Sequence, residues 1–468
     1  MNFIGRKKEL EILTERFNSS KAEFLLIYGR RRIGKTELVN KFISTDHPGI
    51  ILIGREESKK LQLDRYSRLL AEYFNDDLLR KQGLKDWDAF FEYIYQQAKK
   101  QRFILALDEF PYLVKDDKAL PSILQDYWDT RLKDSGIYLI ILGSSISSIS
   151  MMERLMSYKA PLYGRRTDQI KLNALPFTDV AGYAGDMKRA VELYSVFGGT
   201  PAYITQIDPQ RDVYWNIDRH ILRFDSFIYR DIKFILLEEL EEPRYYFSIL
   251  ESIASGSVTM GKIINYTGLD RSLVGKYLNV LIDLGIIKRE IPVTDSVRSK
   301  KGLYFFRDNA FAFWFRFIFP AEDMIDLGHG DVVLENIKNG MNPYLGRTFE
   351  DIAKEFLWLL NSGKAVPFTF SKLGSWWYRD KEIDIVTMDT GSNIFFCEVK
   401  WKDLTAAESL VIINRLKEKA GHARWHNSDR TEYYGIIARR IKGNGKKKLI
   451  DAGYYAFDLK DFEKWMAK

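Results

Sequence analysis

The chain has 468 residues, 46% hydrophobic and 29% charged, with a formal net charge of +7. That length exceeds one ordinary hydrophobic core and predicts about two to four domains, and the apolar content excludes a disordered chain. A single cysteine, Cys397, excludes an internal disulfide and a multi-cysteine zinc site. No uncharged apolar run reaches the roughly eighteen residues that a membrane span needs, and the Met1-Asn-Phe start lacks a signal-peptide layout. A soluble, cytoplasmic protein with no membrane partner is expected. The mildly basic balance is compatible with a polyanionic partner such as nucleic acid.

Phe3-Ile-Gly-Arg-Lys-Lys-Glu-Leu10 reads as a turn entering a helix, either a capping helix or a stretch that presents backbone near a bound base. The apolar run Phe24-Leu-Leu-Ile-Tyr28 then feeds Gly29-Arg-Arg-Arg-Ile-Gly-Lys-Thr36, which opens onto a helix-forming segment reaching Phe42. The form G-x-x-x-x-G-K-T after a strand is a phosphate cradle. Gly29 and Gly34 let the backbone of Arg30, Arg31, Arg32 and Ile33 wrap an anion, Lys35 reaches the β- and γ-phosphates, and Thr36 offers a hydroxyl to Mg²⁺. Binding of a nucleoside triphosphate, ATP, is expected.

Residues 50–53 read as a short buried strand, and helical periodicity fills 61–74 and 87–98. Phe103-Ile-Leu-Ala-Leu-Asp108-Glu109 is an apolar strand ending in two acids. Asp108 is a candidate Mg²⁺ ligand, and Glu109 a candidate to orient or deprotonate the attacking water, with a plain acidic turn as the alternative. The strand 137–142 ends in Gly143-Ser-Ser145, where Ser144 or Ser145 is a candidate γ-phosphate sensor or a helix cap. In Pro161-Leu-Tyr-Gly-Arg-Arg166, Arg165 or Arg166 is a candidate arginine finger, in cis or toward a neighbouring subunit; a solvated basic turn competes with that reading. Alternating strands and helices predict a parallel-sheet core over 1–185.

A helical lid segment is expected over 186–242, broken by Phe197-Gly-Gly-Thr-Pro201, whose backbone up to Pro201 is a candidate to approach a base or ribose. Helical patterns over 246–255, 260–266 and 271–284, then strands at 285–291 and 302–306, predict a winged helix–turn–helix over 243–319. Arg271 and Lys276 on its third helix, and Lys300 and Lys301 beside Arg298 at the wing tip, are candidate DNA contacts; a rigid adaptor with a solvated tip is the alternative. The aromatic run 311–319 is expected to pack this module against its neighbours. Residues 320–342, with Gly328, Gly330 and Gly340, read as a linker.

From 343 the pattern restarts, with Gly346-Arg-Thr-Phe-Glu350 opening a helix and a hairpin formed by Lys381-Glu-Ile-Asp384 and Ile394-Phe-Phe-Cys-Glu398-Val-Lys400. Glu398 and Lys400 share a face of their strand, and the hairpin brings Asp384 beside them. Glu350, Asp384 and Glu398 are candidate Mg²⁺ ligands for phosphodiester hydrolysis, with Lys400 to orient or activate water. Surface acids on an amphipathic hairpin are the alternative. The basic tract 442–448 is a solvated loop or a backbone-contacting patch.

Residues 3–10, the Gly29–Thr36 loop, Leu107-Asp-Glu-Phe110, Pro161-Leu-Tyr-Gly-Arg165 and Gly198-Gly-Thr-Pro201 together resemble the archaeal-type ATPase family, in the STAND group of AAA-like P-loop ATPases. The resemblance implies a winged helix after the ATPase core and, over 343–468, a domain similar to PD-(D/E)XK nucleases. In that pattern Glu350 is the helix acid, Asp384 the metal aspartate, and Glu398 and Lys400 the E-x-K pair. The expected protein is a multidomain α/β chain: an ATP-hydrolysing switch that governs an Mg²⁺-dependent DNA nuclease. A STAND-like regulatory ATPase that binds DNA or protein without cutting is the alternative, with a homo-oligomer or a protein partner in either case.

Overall fold

The computed structural model describes residues 3–143, 162–240 and 242–466. The chain forms two compact units, Met1–Asn173 and Ala174–Lys468. In the first, five strands, β1 (Glu23–Tyr28), β2 (Gly49–Ile53), β3 (Phe103–Asp108), β4 (Ile137–Gly143) and β5 (Asp168–Lys171), form a parallel sheet in the order β2-β3-β4-β1-β5. Every residue of β1, β3 and β4 is buried, as inner strands covered on both faces require. β1 divides its side chains between two cores. Phe24 and Leu26 face helices Lys59–Tyr73, Trp87–Lys100 and Leu120–Thr130, while Leu25 and Ile27 face Lys7–Phe17 and Lys35–Ile43. The strand expected at 50–53 is present, but only Leu52 of β2 is buried, because β2 lies at the sheet edge.

The second unit opens with helices Phe177–Ala184, Met187–Phe197, Pro201–Ile204, Val213–His220 and Phe227–Glu239. Helices Pro243–Ala254, Met260–Thr267 and Arg271–Asp283 follow, then β6 (Ile287–Glu290) paired antiparallel with β7 (Leu303–Phe306). Helix Asn309–Phe313 runs into a π turn at Trp314–Ile318. There Phe315 packs on Phe247 and Phe306, and Trp314 donates its indole N–H to the Tyr229 carbonyl at 3.1 Å.

The stretch read as a linker is largely helical. Residues Gly330–Ser362 form one 33-residue helix that runs through Gly340 and Pro343. Its buried stripe, Val333, Ile337, Met341, Leu345, Phe349, Ile352, Phe356 and Leu360, keeps helical spacing from end to end. Burial along that face outweighs the amide hydrogen bond that proline removes. A mixed sheet follows, in the order β12-β11-β10-β9-β8: β8 (Lys372–Tyr378), β9 (Lys381–Met388) and β10 (Asn393–Leu404) are antiparallel, and β11 (Thr431–Ile441) and β12 (Tyr455–Asp458) run parallel to β10. Asp389 closes the β9–β10 turn by accepting from the Gly391 and Asn393 amides at 2.9 and 3.1 Å.

The long helix also holds the start of the unit, since Glu355 accepts from the Phe177 amide at 2.9 Å. Burial pushes the Glu355 carboxyl up to about 7, against the backbone amides it accepts from. The folded chain therefore binds this proton more tightly than the unfolded chain, and stability contributed at acidic pH is lost as pH rises through about 7. Glutamine at 355 cannot titrate. Between pH 5 and pH 8, thermal melts should show Glu355→Gln gaining on wild type by roughly 1–3 kcal/mol; a pH-independent difference would sink the assignment.

Candidate functional site

The carboxyl ends of the parallel strands assemble the first site. Gly29 follows β1 with φ +154°, and a Cβ there would stand 2.4 Å from the Leu172 carbonyl oxygen. Gly34 has φ +82° and starts helix Lys35–Ile43. Only glycine takes both positions without strain, so the chain between them can curl into a loop ahead of the helix N-terminus. Arg30 and Lys35 are buried, Ile33 anchors the loop in the core, and Arg31 donates to the Tyr112 hydroxyl at 3.2 Å. Arg32, at the exposed crest, has φ +70°. The Lys35 ammonium donates to the Gly29 and Arg30 carbonyls, both at 2.9 Å, so it lies across the cradle.

Across the loop, the Thr36 hydroxyl donates to Asp108 Oδ2 at 2.5 Å. Asp108 is 3% exposed at the end of β3, and its Oδ1 accepts the Glu109 amide at 2.8 Å. A hydroxyl and a carboxylate aimed at one point form a donor set suited to a hard cation beside phosphate, so these residues fit Mg²⁺. Glu109 is half-buried with φ +51° and begins helix Phe110–Asp116. Ser144 lies outside the described residues.

Arg165 and Pro201 were also expected at the nucleotide. Arg165 makes a forked ion pair with Asp129, Nε at 2.9 Å and Nη2 at 2.7 Å. It precedes β5, where the Thr167 amide donates to the Phe24 carbonyl at 2.8 Å. Phe24 belongs to the beginning of β1 and the phosphate loop follows its end, about 16 Å further along a strand. Arg165 therefore lies toward the beginning of β1, away from the phosphate loop that follows its end, and a finger role for it, in cis or toward a neighbouring subunit, is a matter for proposal. Pro201 belongs to the second unit. The turn before it serves packing there: the Gly199 carbonyl accepts the Leu175 amide at 2.7 Å, and Thr200 donates to buried Asp308 at 3.3 Å. A Cβ on Gly199 would lie 1.9 Å from the Leu175 carbonyl oxygen, so this close approach requires glycine.

Arg6 was not legible as a site residue. Buried, with φ +64°, it donates to the Ile33 carbonyl at 3.0 Å and the Asn173 carbonyl at 2.6 Å, tying the chain's beginning to the phosphate loop. The glycine before it was the available signal, because a Gly-Arg turn ahead of a helix permits such left-handed backbone.

The second cluster lies in the mixed sheet. Lys400 Nζ donates to Asp384 Oδ2 at 2.8 Å and Glu398 Oε2 at 2.6 Å. Asp384 Oδ2 also accepts the Val399 amide at 2.8 Å. From helix Ala406–Ala420, Lys419 reaches Glu398 Oε1 at 2.7 Å, a partner that the sequence did not announce. Glu350, on the long helix, is held by Arg347 at 2.7 Å. Burial and the nearby Asp384 push the Glu350 carboxyl up to about 8 despite Arg347, and burial with Asp384 raises Glu398 despite Lys400. Asp384 and Glu398 outweigh burial at Lys400 and hold it as an ammonium.

Two carboxylates on adjacent strands suit a hard cation, and Asp384 and Glu398 are the residues that would hold one. Glu350, the expected third ligand, stands apart from that pair. Among the described residues, no group of three or more His, Cys, Asp or Glu side chains is gathered to hold a metal ion, and Arg347 draws the Glu350 carboxylate to itself. Arg271, Lys276, Lys300 and Lys301 are all exposed; Lys301 pairs with Asp295 at 3.1 Å. Among the described residues no helix is long and apolar enough to cross a membrane.

Glycine-shaped amides, an ammonium and a hydroxyl–carboxylate pair at one edge of a parallel sheet are the means by which a P-loop ATPase holds its nucleotide. A family of ATPase domains predominantly from Archaea matches residues 3–207, and a family of archaeal and bacterial proteins of unknown function matches 314–412. The chain is 38% identical over 466 residues to the uncharacterized protein MJECL04 of Methanocaldococcus jannaschii, covering 98% of this chain and 100% of that one. A 41-residue stretch is 51% identical to the uncharacterized ATP-binding protein MJ0423 of the same organism, covering 9% of this chain and 70% of that one. Among solved structures, the Walker-type ATPase PABY2304 of Pyrococcus abyssi is similar at 20% identity and a TM-score of 0.48, with 67% of this chain and 96% of that chain covered. The chain belongs to one family with the Methanocaldococcus protein MJECL04, and its residues 3–207 form an archaeal-type ATPase domain. It is an ATPase.

Proposed function

We propose that the chain is an ATP-hydrolysing switch whose second unit joins a helical lid, a winged helix–turn–helix over 243–319 and a PD-(D/E)XK-like nuclease domain from 343 onward, acting on DNA. At the first site Lys35 and the loop amides bind the β- and γ-phosphates, and Thr36 and Asp108 hold Mg²⁺. Bound there, Mg²⁺ would supply positive charge against that of the phosphates. Glu109 orients the attacking water and takes its proton.

For the nuclease reading, one observation carries the weight: Asp384 and Glu398 meet at a single ammonium, Lys400, on the two central strands of the hairpin. The hairpin β6–β7 stands beside this domain, with the Val293 amide donating to the Ser375 carbonyl of β8 at 3.0 Å. Exposed Arg298, Lys300 and Lys301 on the same loop supply phosphate contacts.

A second reading has its own support. Glu398 is shared by Lys400 and Lys419, and Glu350 is taken by Arg347, so the chain's own cations already balance these acids. That arrangement favours a regulatory ATPase whose second unit binds DNA or protein without cutting. The decisive assay incubates single- and double-stranded DNA with the full chain and Mg²⁺ or Mn²⁺, with and without ATP. The nuclease reading expects cleavage that Glu398→Ala lowers at least about a hundredfold. Salt-dependent binding of intact DNA selects the regulatory reading.

A further inference from the structure

The second unit holds a partly open cavity of about 280 Å³ that shares only Arg347 with the acid cluster. It lies between the end of helix Pro243–Ala254, strand β7, the π turn and the middle of the long helix. Two irregularities border it. The π turn at Trp314–Ile318 departs from α-helical spacing, and the facing helix carries Gly340 and Pro343. Such a single π turn often marks a functional site.

The lining combines aromatic surface with guanidinium groups. Phe305, Phe306 and Tyr344 form walls, and Arg316 and Arg347 supply the positive charge. Arg316 is exposed, with only a long 3.4 Å contact to the Ala254 carbonyl. Arg347 lies over the Phe305 ring at 3.9 Å and gives Nη1 to Glu350. Its Nη2 is buried, makes no hydrogen bond and stands 3.8 Å from Glu290. A buried guanidinium N–H without an acceptor is costly and signals a missing partner. Asp351 also lines the cavity, but Lys288 donates to both of its oxygens at 2.8 Å and Lys354 to one at 3.3 Å, so its charge is already balanced.

We propose that this cavity is a binding site for a small organic anion: a planar ring bearing a phosphate or carboxylate, with the anion engaged by Arg316 and Arg347. The volume sits at the small end of ligand pockets, on the order of 300 Å³. Because Arg347 also holds Glu350, an anion there competes with that pair and alters the acid cluster. That consequence rests on the nuclease reading; the binding itself does not.

The test uses the full chain carrying Lys35→Ala, which weakens binding at the phosphate loop, and titration calorimetry. Adenosine monophosphate, benzoate, inorganic phosphate and adenosine are the probes, separating anion from ring and phosphate from carboxylate. A ring-bearing anion should bind saturably with Kd below about 1 mM, while adenosine should not bind. Adding Arg316→Ala, a surface change with no buried partner, should weaken that binding about tenfold or more. Arg347→Ala should do the same. The proposal is overturned if neither ring-bearing anion binds, if adenosine binds as well as its monophosphate, or if Arg316→Ala leaves the affinity unchanged. DNA cleavage assays play no part in this outcome, so the nuclease reading can fail while the site stands, and the reverse.

Discussion

Asparagine at Asp108 should leave ATP binding within a few-fold of wild type and lower turnover at least about a hundredfold. The carboxylate is buried at the end of β3, and its Oδ2 accepts the Thr36 hydroxyl at 2.5 Å. An amide of the same shape keeps the packing but loses the negative charge, and half of its orientations offer N–H where Thr36 needs an acceptor. In the proposed function the phosphate contacts come from Lys35 and from the loop between Gly29 and Gly34, none of which the substitution touches. Binding and hydrolysis therefore separate. Phosphate-release kinetics beside equilibrium binding of a fluorescent ATP analogue read the two quantities. Turnover within about threefold of wild type, with binding intact, would remove Asp108 from the metal position.

This site was readable in the sequence because its parts are local. A strand with a five-residue apolar run, two glycines at fixed spacing and a helix start lie within one continuous stretch, and each dictates its own backbone. Arg165 shows the limit of such reading. Its residue type suits phosphoryl charge, but which end of the sheet it occupies depends on the parallel pairing of β5 with β1, a long-range fact. The long helix shows a different limit. Gly330, Gly340 and Pro343 are strong local breakers, yet twelve buried positions spread along 33 residues outweigh them. The hairpin of the acid cluster was legible from its alternation and from the turn at 389–393, since same-face spacing places Glu398 and Lys400 together. Lys419 was not, because a helix face that reaches back over a sheet leaves no mark in spacing.

Methionine at Lys400 should cost the second unit about 2–3 kcal/mol, less than a fully buried pair because the ammonium is about one-third exposed. Asp384 and Glu398 would then face each other with Lys419 holding only the far oxygen of Glu398 and the Val399 amide holding Asp384. The two readings of the cluster diverge at this point. If the acids form a metal site, the space vacated by the ammonium accepts a hard cation, and Mg²⁺ or Mn²⁺ raises the variant's Tm with concentration as ligand linkage requires. Wild type, whose carboxylates keep their own ammonium, should respond less. If the cluster is an ionic lock, the variant melts early and the divalent ion does nothing beyond its effect on wild type. Melting both proteins with Lys35→Ala in the background weakens nucleotide-linked Mg²⁺ binding at the phosphate loop and leaves the second cluster as the main source of any difference. A metal-dependent recovery in Lys400→Met that vanishes on adding Asp384→Asn would assign the cation to this pair, and no recovery would leave the acids as partners of lysine alone.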